Sequence, residues 1–244
     1  MKYIIPLLAC FILFTQCRSR VDVQPTSTFD TLGITWMTIE RTNISYYFQG
    51  TGEKGASIYT DIYEAAYNEL NPIFDAKLPQ KLRFFVWTDW AVAEQKLNFF
   101  PGFAVPDECV CHVRANQSRG HEMTHVLSYW ARGVPPNTYS RFINEGIAVA
   151  FDLNEGDKMQ RAIQAAAGSG IPSITDLWVQ KVIVPDDIMY PIAGAFMQYL
   201  YNLNEPEKFY DLMKNQTLYD AQQIYGSSTL NIFINDFDTR LGLR

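Results

Sequence analysis

Two histidines and a distant glutamate constrain the fold more than any other feature of this chain. Residues 121–125 read His-Glu-Met-Thr-His, and Glu145 follows after residues 126–144. Residues four apart on a helix share one face, with Cβ atoms about 5–6 Å apart, so His121 and His125 can bind one cation. The gap accommodates the rest of that helix, a reversing loop and half of a second helix. The pattern therefore predicts two adjacent antiparallel helices, the second of which presents Glu145 to the two imidazoles.

The residue types in this pattern are those of a catalytic zinc site. Imidazole nitrogens and carboxylates bind Zn²⁺ at about 2.0–2.2 Å, and two histidines with one glutamate leave a fourth position for water. Glu122 follows the first ligand and can act as the general base toward that water. Gly146, directly after Glu145, predicts that the two helices approach closely. The predicted metal ligands are His121, His125 and Glu145, with Glu122 as a catalytic residue.

This pattern resembles the gluzincin branch of the thermolysin-like zinc metallopeptidases, and most closely the small bacterial proteins described as peptidase MA-like. The second helix of those proteins often reads Trp-x-x-Glu-Gly-x-Ala, and residues 142–148 here read Phe-Ile-Asn-Glu-Gly-Ile-Ala. Residues 190–200 and 218–225 also resemble the later helices of the family. The resemblance covers residues 80–244 and implies a zinc-dependent metallopeptidase. With the export signal that residues 1–17 predict, it would cleave peptide bonds outside the cytoplasm.

The predicted fold class is α+β and zincin-like, with the zinc site between two lobes. Residues 34–117 form the mixed sheet-and-helix lobe, and residues 118–244 form the mostly helical lobe. β-Branched and aromatic runs predict strands, and apolar residues at helical spacing predict helices. The predicted strands are residues 35–48, 82–88 and 110–115. The predicted helices are residues 57–76, 91–99, 118–132 (with Ser118 as the N-cap), 140–153, 157–167, 190–202, 206–214, 218–225 and 230–241.

The resemblance also implies features of the cleft. Residues 110–115 occupy the place of the family's edge strand, which can pair with an extended peptide. Tyr190, at the start of a predicted helix, is the candidate catalytic donor to the oxyanion, or else a packing residue. Tyr199 and Tyr201 are weaker alternatives. The breaker-rich residues 168–187 predict a surface connection.

The partner that orients the zinc-bound histidines is not defined by the resemblance. Thermolysin-like enzymes often carry an aspartate four residues after the ligand glutamate, but that position here is Val149. Asp152, two helical turns beyond Glu145, and Asn144, through its side-chain amide, are the remaining candidates.

Two cysteines and a histidine precede the zinc motif. Cys109, Cys111 and His112 can bind a second metal. The two thiols can also form a local disulfide in an oxidising compartment, or all three residues can be packing or loop residues.

The first residues predict export and a lipid anchor. Lys2 precedes an apolar run, residues 3–14, which is too short for a confident membrane span. Residues 1–17 are therefore predicted to be a lipoprotein signal, with Cys17 as the lipidated residue. Cys10 is the alternative, because residues 7–10 match the small-residue signature better. An ordinary secretory signal remains open. Residues 18–33 are predicted to be a polar tether, and the predicted location is the cell envelope.

Charge and motif together limit the partners. The formal net charge is −6, and the absence of basic clusters argues against nucleic acid as a partner. The predicted substrate is a peptide or protein. The alternatives are a catalytically idle, peptidase-like lipoprotein that acts as a binding or assembly module, and a hydrolase of another amide or ester.

Overall fold

The computed structural model describes residues 27–100, 102–153 and 156–243 and has a mixed α+β architecture. An N-terminal six-stranded sheet has the strand order β1-β2-β3-β4-β6-β5. Strands β3, β4 and β6 are parallel, and the remaining neighbours are antiparallel. The strands are β1 (Ser27–Thr31), β2 (Ile34–Glu40), β3 (Ile44–Phe48), β4 (Leu82–Trp87), β5 (Phe103–Val105) and β6 (Val110–Arg114).

Two helices belong to the sheet region, and the rest of the described chain is mostly helical. A short 3-10 helix, Pro106–Glu108, separates β5 from β6. The helices are α1 (Glu53–Phe74), α2 (Trp90–Leu97), α3 (His121–Tyr129), α4 (Arg141–Ala150), α5 (Lys158–Ala166), α6 (Ile174–Trp178), α7 (Asp186–Tyr201), α8 (Pro206–Lys214), α9 (Leu218–Tyr225) and α10 (Ser227–Arg240).

A main core connects the sheet with the helices. Tyr46 and Phe84 on the sheet pack with Tyr63 and Leu70 of α1, because the alternating strand residues and one stripe of α1 are apolar. The same core continues through α3 and α4 to α10. A smaller cluster on the opposite face of the sheet is formed by Trp36, Phe85, Trp87, Ala93 and Val110.

Helices α4 and α7 pack closely because each offers a glycine to the other. A Cβ on Gly146 would lie 2.8 Å from the carbonyl oxygen of Ala193, and one on Gly194 would lie 2.2 Å from Cγ1 of Val149. The prediction that Gly146 brings the two zinc-binding helices together is therefore wrong. This glycine admits α7, which packs on a different side of α4.

Several predicted elements are confirmed, and the N-terminal strands are corrected. Residues 35–48 are not one strand but β2 and β3, which form a hairpin. Arg41 N donates to Ile44 O at 3.0 Å, and the Glu64 carboxylate accepts from the backbone N of Asn43 and Ile44. The predicted tether is wrong for residues 27–31, which form β1.

The edge of the sheet is also corrected. Strand β6 pairs with β4 on one side and with β5 on the other, so it is not an edge strand. The edge next to it is β5, which has only three residues and carries no periodic signal.

Several helices begin or end at residues other than the predicted ones, and one helix was not predicted. Helix α3 begins at His121, after Gly120 rather than after an N-cap at Ser118. Helix α7 begins at Asp186, so Tyr190 lies one turn inside it. The predicted surface connection contains α6.

The residues before the zinc motif have packing roles. Cys109 and Cys111 are free thiols and are buried. His112 lies between the rings of Phe85 and Phe103, each 5.0 Å away. Among the described residues, no metal-binding group of three includes them. The second metal and the disulfide are therefore not found, and the packing interpretation is confirmed.

Within the described residues, no helix is long and apolar enough to cross a membrane. The predicted signal, residues 1–17, and the two candidate lipidation sites, Cys10 and Cys17, lie outside the described residues.

Substituting Gly194 tests the close packing of α4 and α7. We expect Gly194→Ala to lower the free energy of unfolding by about 1–3 kcal/mol, because the added Cβ overlaps the branched Val149 side chain. The matched control is Gly55→Ala in α1, where the nearest atom is 3.6 Å from the added Cβ. We expect this control to gain about 0.5–1 kcal/mol from helix propensity. Equal or greater stability of Gly194→Ala in chemical denaturation would contradict the packing described here.

Candidate metal centre

Helix α3 presents both histidines of the motif on one face. It begins after Gly120, whose φ of +116° is unfavourable for other residues. A Cβ at Gly120 would also lie 3.3 Å from the backbone N of Leu153. That nitrogen donates to Arg119 O at 2.9 Å. The first turn of α3 is therefore fixed against the chain that leaves α4.

The antiparallel packing of α3 and α4 brings Glu145 to the histidines. Glu145 Oε2 lies 3.5 Å from His121 Nε2 and 3.5 Å from His125 Nε2. The two imidazole rings are nearly perpendicular, at 86°. Ligand atoms at about 2.0–2.1 Å from one tetrahedral ion lie roughly 3.3–3.4 Å apart. The three side chains therefore fit a single metal ion, and the predicted ligand set is brought together.

The charges of this group reinforce one another. Burial works to raise the pKa of Glu145, but hydrogen bonds from both imidazoles outweigh it and hold that pKa well below its ordinary value. Burial works to lower the pKa of His121, but the hydrogen bond with Glu145 and the charge of Glu122 raise it above its ordinary value. The site thus stabilises positive charge next to the Glu145 carboxylate.

Glu122 lies beside the group and is 5% exposed. Burial raises its pKa above the ordinary value, and the two neighbouring imidazoles work in the opposite direction. Its Oε1 accepts a hydrogen bond from Nε2 of Gln117 at 2.6 Å. The predicted general base is therefore a buried carboxylate held beside the two histidines and Glu145.

Asn144 is the partner of His125. Nδ2 of the Asn144 amide lies 3.1 Å from Nδ1 of His125. A neutral imidazole that binds a metal through Nε2 carries its proton on Nδ1, so metal binding would require the amide of Asn144 to turn and present its oxygen to the ring. The oxygen and nitrogen of an amide are assigned from such networks. Asn144, one of the two candidates from the sequence, contacts a histidine.

The surroundings of His121 are different. The ring of Tyr190 stacks on it, with a centroid separation of 6.1 Å and an interplanar angle of 17°. The charge of Asp152 contributes to the raised pKa of His121. Val149, the fourth residue after Glu145, packs against Gly194.

Tyr190 lines the cleft together with Arg141, whose guanidinium lies 5.7 Å from its ring centroid. Arg141 is itself paired with Asp186 at 2.6 Å. Burial and the charge of Glu145 raise the pKa of Tyr190 to about 12, so the phenol keeps its proton at neutral pH. The weaker alternatives do not line the cleft: Tyr199 contacts Phe237, and Tyr201, which is 39% exposed, contacts Phe151.

The metal-binding group opens into a cleft of about 850 Å³. One wall comes from β5 and the chain around it, and the other comes from the loop before α4 and from the first turns of α4 and α7. The sequence does not indicate several wall residues, because they lie in loops, in the three-residue strand β5 or in a first helical turn without a motif. These residues are Phe99, Phe103, Gln117, Tyr139 and Arg141.

Comparison with protein-family models finds no match to this chain, and comparison with curated proteins finds none either.

Proposed function

We propose that this protein is a zinc-dependent hydrolase, and specifically a metallopeptidase that acts outside the cytoplasm. The observation that supports it is the convergence of His121, His125 and Glu145 at the floor of an open cleft. A buried carboxylate, Glu122, lies beside them. A structural zinc site is closed by four protein ligands, whereas a catalytic one has three and is accessible. This arrangement matches the second kind.

Each residue has a defined role in this proposal. His121, His125 and Glu145 hold Zn²⁺, and Asn144 orients His125. When bound, the cation supplies Lewis-acid chemistry, which polarises a carbonyl and makes water more acidic. Glu122 accepts the proton of the attacking water and later gives it to the leaving amine.

Tyr190 is the proposed hydrogen-bond donor to the oxyanion that develops on the substrate. It lies next to His121, and its pKa of about 12 keeps the hydroxyl protonated at neutral pH. A donor that faces developing charge in a site of low dielectric constant stabilises the transition state strongly.

The proposed architecture is that of two lobes with the metal between them. Residues 34–117 would form the sheet lobe, and residues 118–244 the helical lobe. The open edge of β5 (Phe103–Val105) forms part of the cleft wall. We infer that an extended peptide is the substrate, because a free strand edge offers backbone hydrogen bonds to such a chain. The proposed location is the cell envelope, with a lipid anchor at Cys17.

Glu122 also favours an enzyme over an idle binding module. A module that only retains zinc needs the three ligands and not a carboxylate held by a hydrogen bond beside them. Val149 stands where the family often has an aspartate that orients a zinc-bound histidine. His125 nevertheless has a side-chain partner, because Asn144 contacts it.

The metal site is tested by zinc content. We expect the wild-type protein to bind about one zinc ion per chain. Glu145→Gln should bind zinc at least about 100-fold more weakly, because loss of a direct ligand should cost no less than loss of a residue that only hydrogen-bonds to a ligand, which costs up to about 100-fold. His121→Ala should lose the metal as well. The matched control is Glu69→Gln, because Glu69 is exposed on α1. Equal zinc affinity of Glu145→Gln and the control in competition with a chelator would refute the ligand set.

The general base is tested separately from the metal. We expect Glu122→Gln to keep zinc and to cleave peptides about 10²–10⁴-fold more slowly, because the amide cannot accept the proton. A peptide library followed by mass spectrometry measures the cleavage, and Glu69→Gln again serves as the control. Undiminished cleavage by Glu122→Gln would rule out this residue as the base.

The role of Tyr190 is tested by removing its hydroxyl. We expect Tyr190→Phe to lower kcat by about 10²–10³-fold, as for other oxyanion donors, with zinc retained. Tyr219→Phe is the control, because Tyr219 is 69% exposed and lies outside the cleft. If both variants keep the wild-type kcat, Tyr190 is a packing residue.

A further inference from the structure

The side chain of Gln117 connects the end of β6 to Glu122. Gln117 lies in the loop between β6 and α3. Its Oε1 accepts a hydrogen bond from the backbone N of Arg114 at 3.1 Å. Its Nε2 donates to Glu122 Oε1 at 2.6 Å. One amide therefore links the sheet to the carboxylate beside the metal centre.

The orientation of this amide is determined by its two partners. The backbone N–H of Arg114 can only donate, so it requires the amide oxygen. An ionised Glu122 carboxylate can only accept, so it requires the amide nitrogen. Exchanging the oxygen and nitrogen of Gln117 would break both hydrogen bonds. The Arg114 N–H and the Glu122 carboxylate thus determine that the amide nitrogen of Gln117 faces Glu122.

The loop holds Gln117 in place through its backbone and its surroundings. Its N–H donates to Arg114 O at 3.0 Å, and its carbonyl accepts from the hydroxyl of Tyr63 in α1 at 3.2 Å. A Cβ on Gly102 would lie 3.1 Å from Gln117 Oε1 and 3.2 Å from Nε2. The glycine thereby leaves space for the amide against the chain that leads into β5.

We propose that Gln117 is a positioning residue that fixes the side chain of Glu122 for proton transfer. Its hydrogen bond to Oε1 limits the rotation of the carboxylate that accepts the proton of the attacking water. This inference rests on the proposed hydrolase function. It adds a residue outside the His-Glu-Met-Thr-His motif, one that acts through the base and does not contact the substrate's reacting atoms.

The rate expectation follows from the type of hydrogen bond. A hydrogen bond to a charged group is stronger than one between neutral groups. Without the hydrogen bond from Gln117, the side chain of Glu122 would spend part of its time in other rotamers. Gln117→Met keeps the length of the side chain and removes both hydrogen bonds. We expect kcat to fall by about 10–100-fold, with KM within twofold of the wild-type value and with unchanged zinc affinity.

The control separates this role from a general effect of the substitution. Gln223→Met makes the same change at an exposed position of α9, outside the cleft, and should keep the wild-type kcat, KM and zinc affinity. An unchanged kcat in Gln117→Met would overturn the proposal. Equal losses in kcat, zinc affinity and thermal stability would also overturn it, because they would show that Gln117 stabilises the loop and does not act on Glu122 specifically.

A second measurement does not depend on turnover. In crystal structures of the zinc-loaded proteins, we expect Glu122 to occupy one position in the wild type, within hydrogen-bonding distance of Gln117. In Gln117→Met we expect it to be displaced or spread over several rotamers. An unmoved Glu122 in the variant would overturn the proposal. A wild-type protein that binds zinc but cleaves no peptide would contradict the proposed function alone, and the crystal comparison would still decide the role of Gln117.

Discussion

The carboxylate of Glu145 lies between two imidazoles in a region where charge is costly unless it is paired. It is 3.5 Å from Nε2 of His121 and of His125, and a second carboxylate, Glu122, is 5% exposed beside them. Glu122 and Glu145 can both stay ionised at neighbouring positions only if positive charge lies next to them. Protonated imidazoles or a cation can supply it. Protons and a metal ion therefore compete for the same nitrogens, and a divalent cation satisfies the group without charging the rings.

This group exists only because elements from different parts of the chain meet. Helix α3 supplies two of the residues that could hold a metal ion, and α4 supplies the third by running antiparallel to it. Helix α7 packs against α4 through Gly146 and Gly194 and places Tyr190 on His121. Because close-packed helices cannot shift independently, a displacement of α7 would move Glu145 and Tyr190 together. Gly146 and Gly194 thus help to determine the geometry of the site.

The part of this site that is local in sequence could be predicted, and the part that depends on tertiary packing could not. The four-residue spacing of His121 and His125 is a property of one helix, and the gap to Glu145 fits one helical reversal. By contrast, the prediction of which helix packs against Gly146 is wrong. A glycine in a helix indicates that another element approaches its backbone, but it does not indicate which element. Strand β5 was missed, because three residues carry no periodicity and because strand order depends on contacts distant in sequence.

The side-chain amides around the centre show why the supporting residues are hard to find. Asn144 contacts His125 from within the second helix of the motif, so its position relative to Glu145 made it a candidate. Gln117 contacts Glu122 from a loop, where nothing in the sequence separates it from an ordinary surface glutamine. Only the Arg114 N–H at the strand end and the Glu122 carboxylate give its amide one orientation. The ligands and the base are thus encoded locally, whereas the restraint on the base comes from the packing of the sheet against the loop.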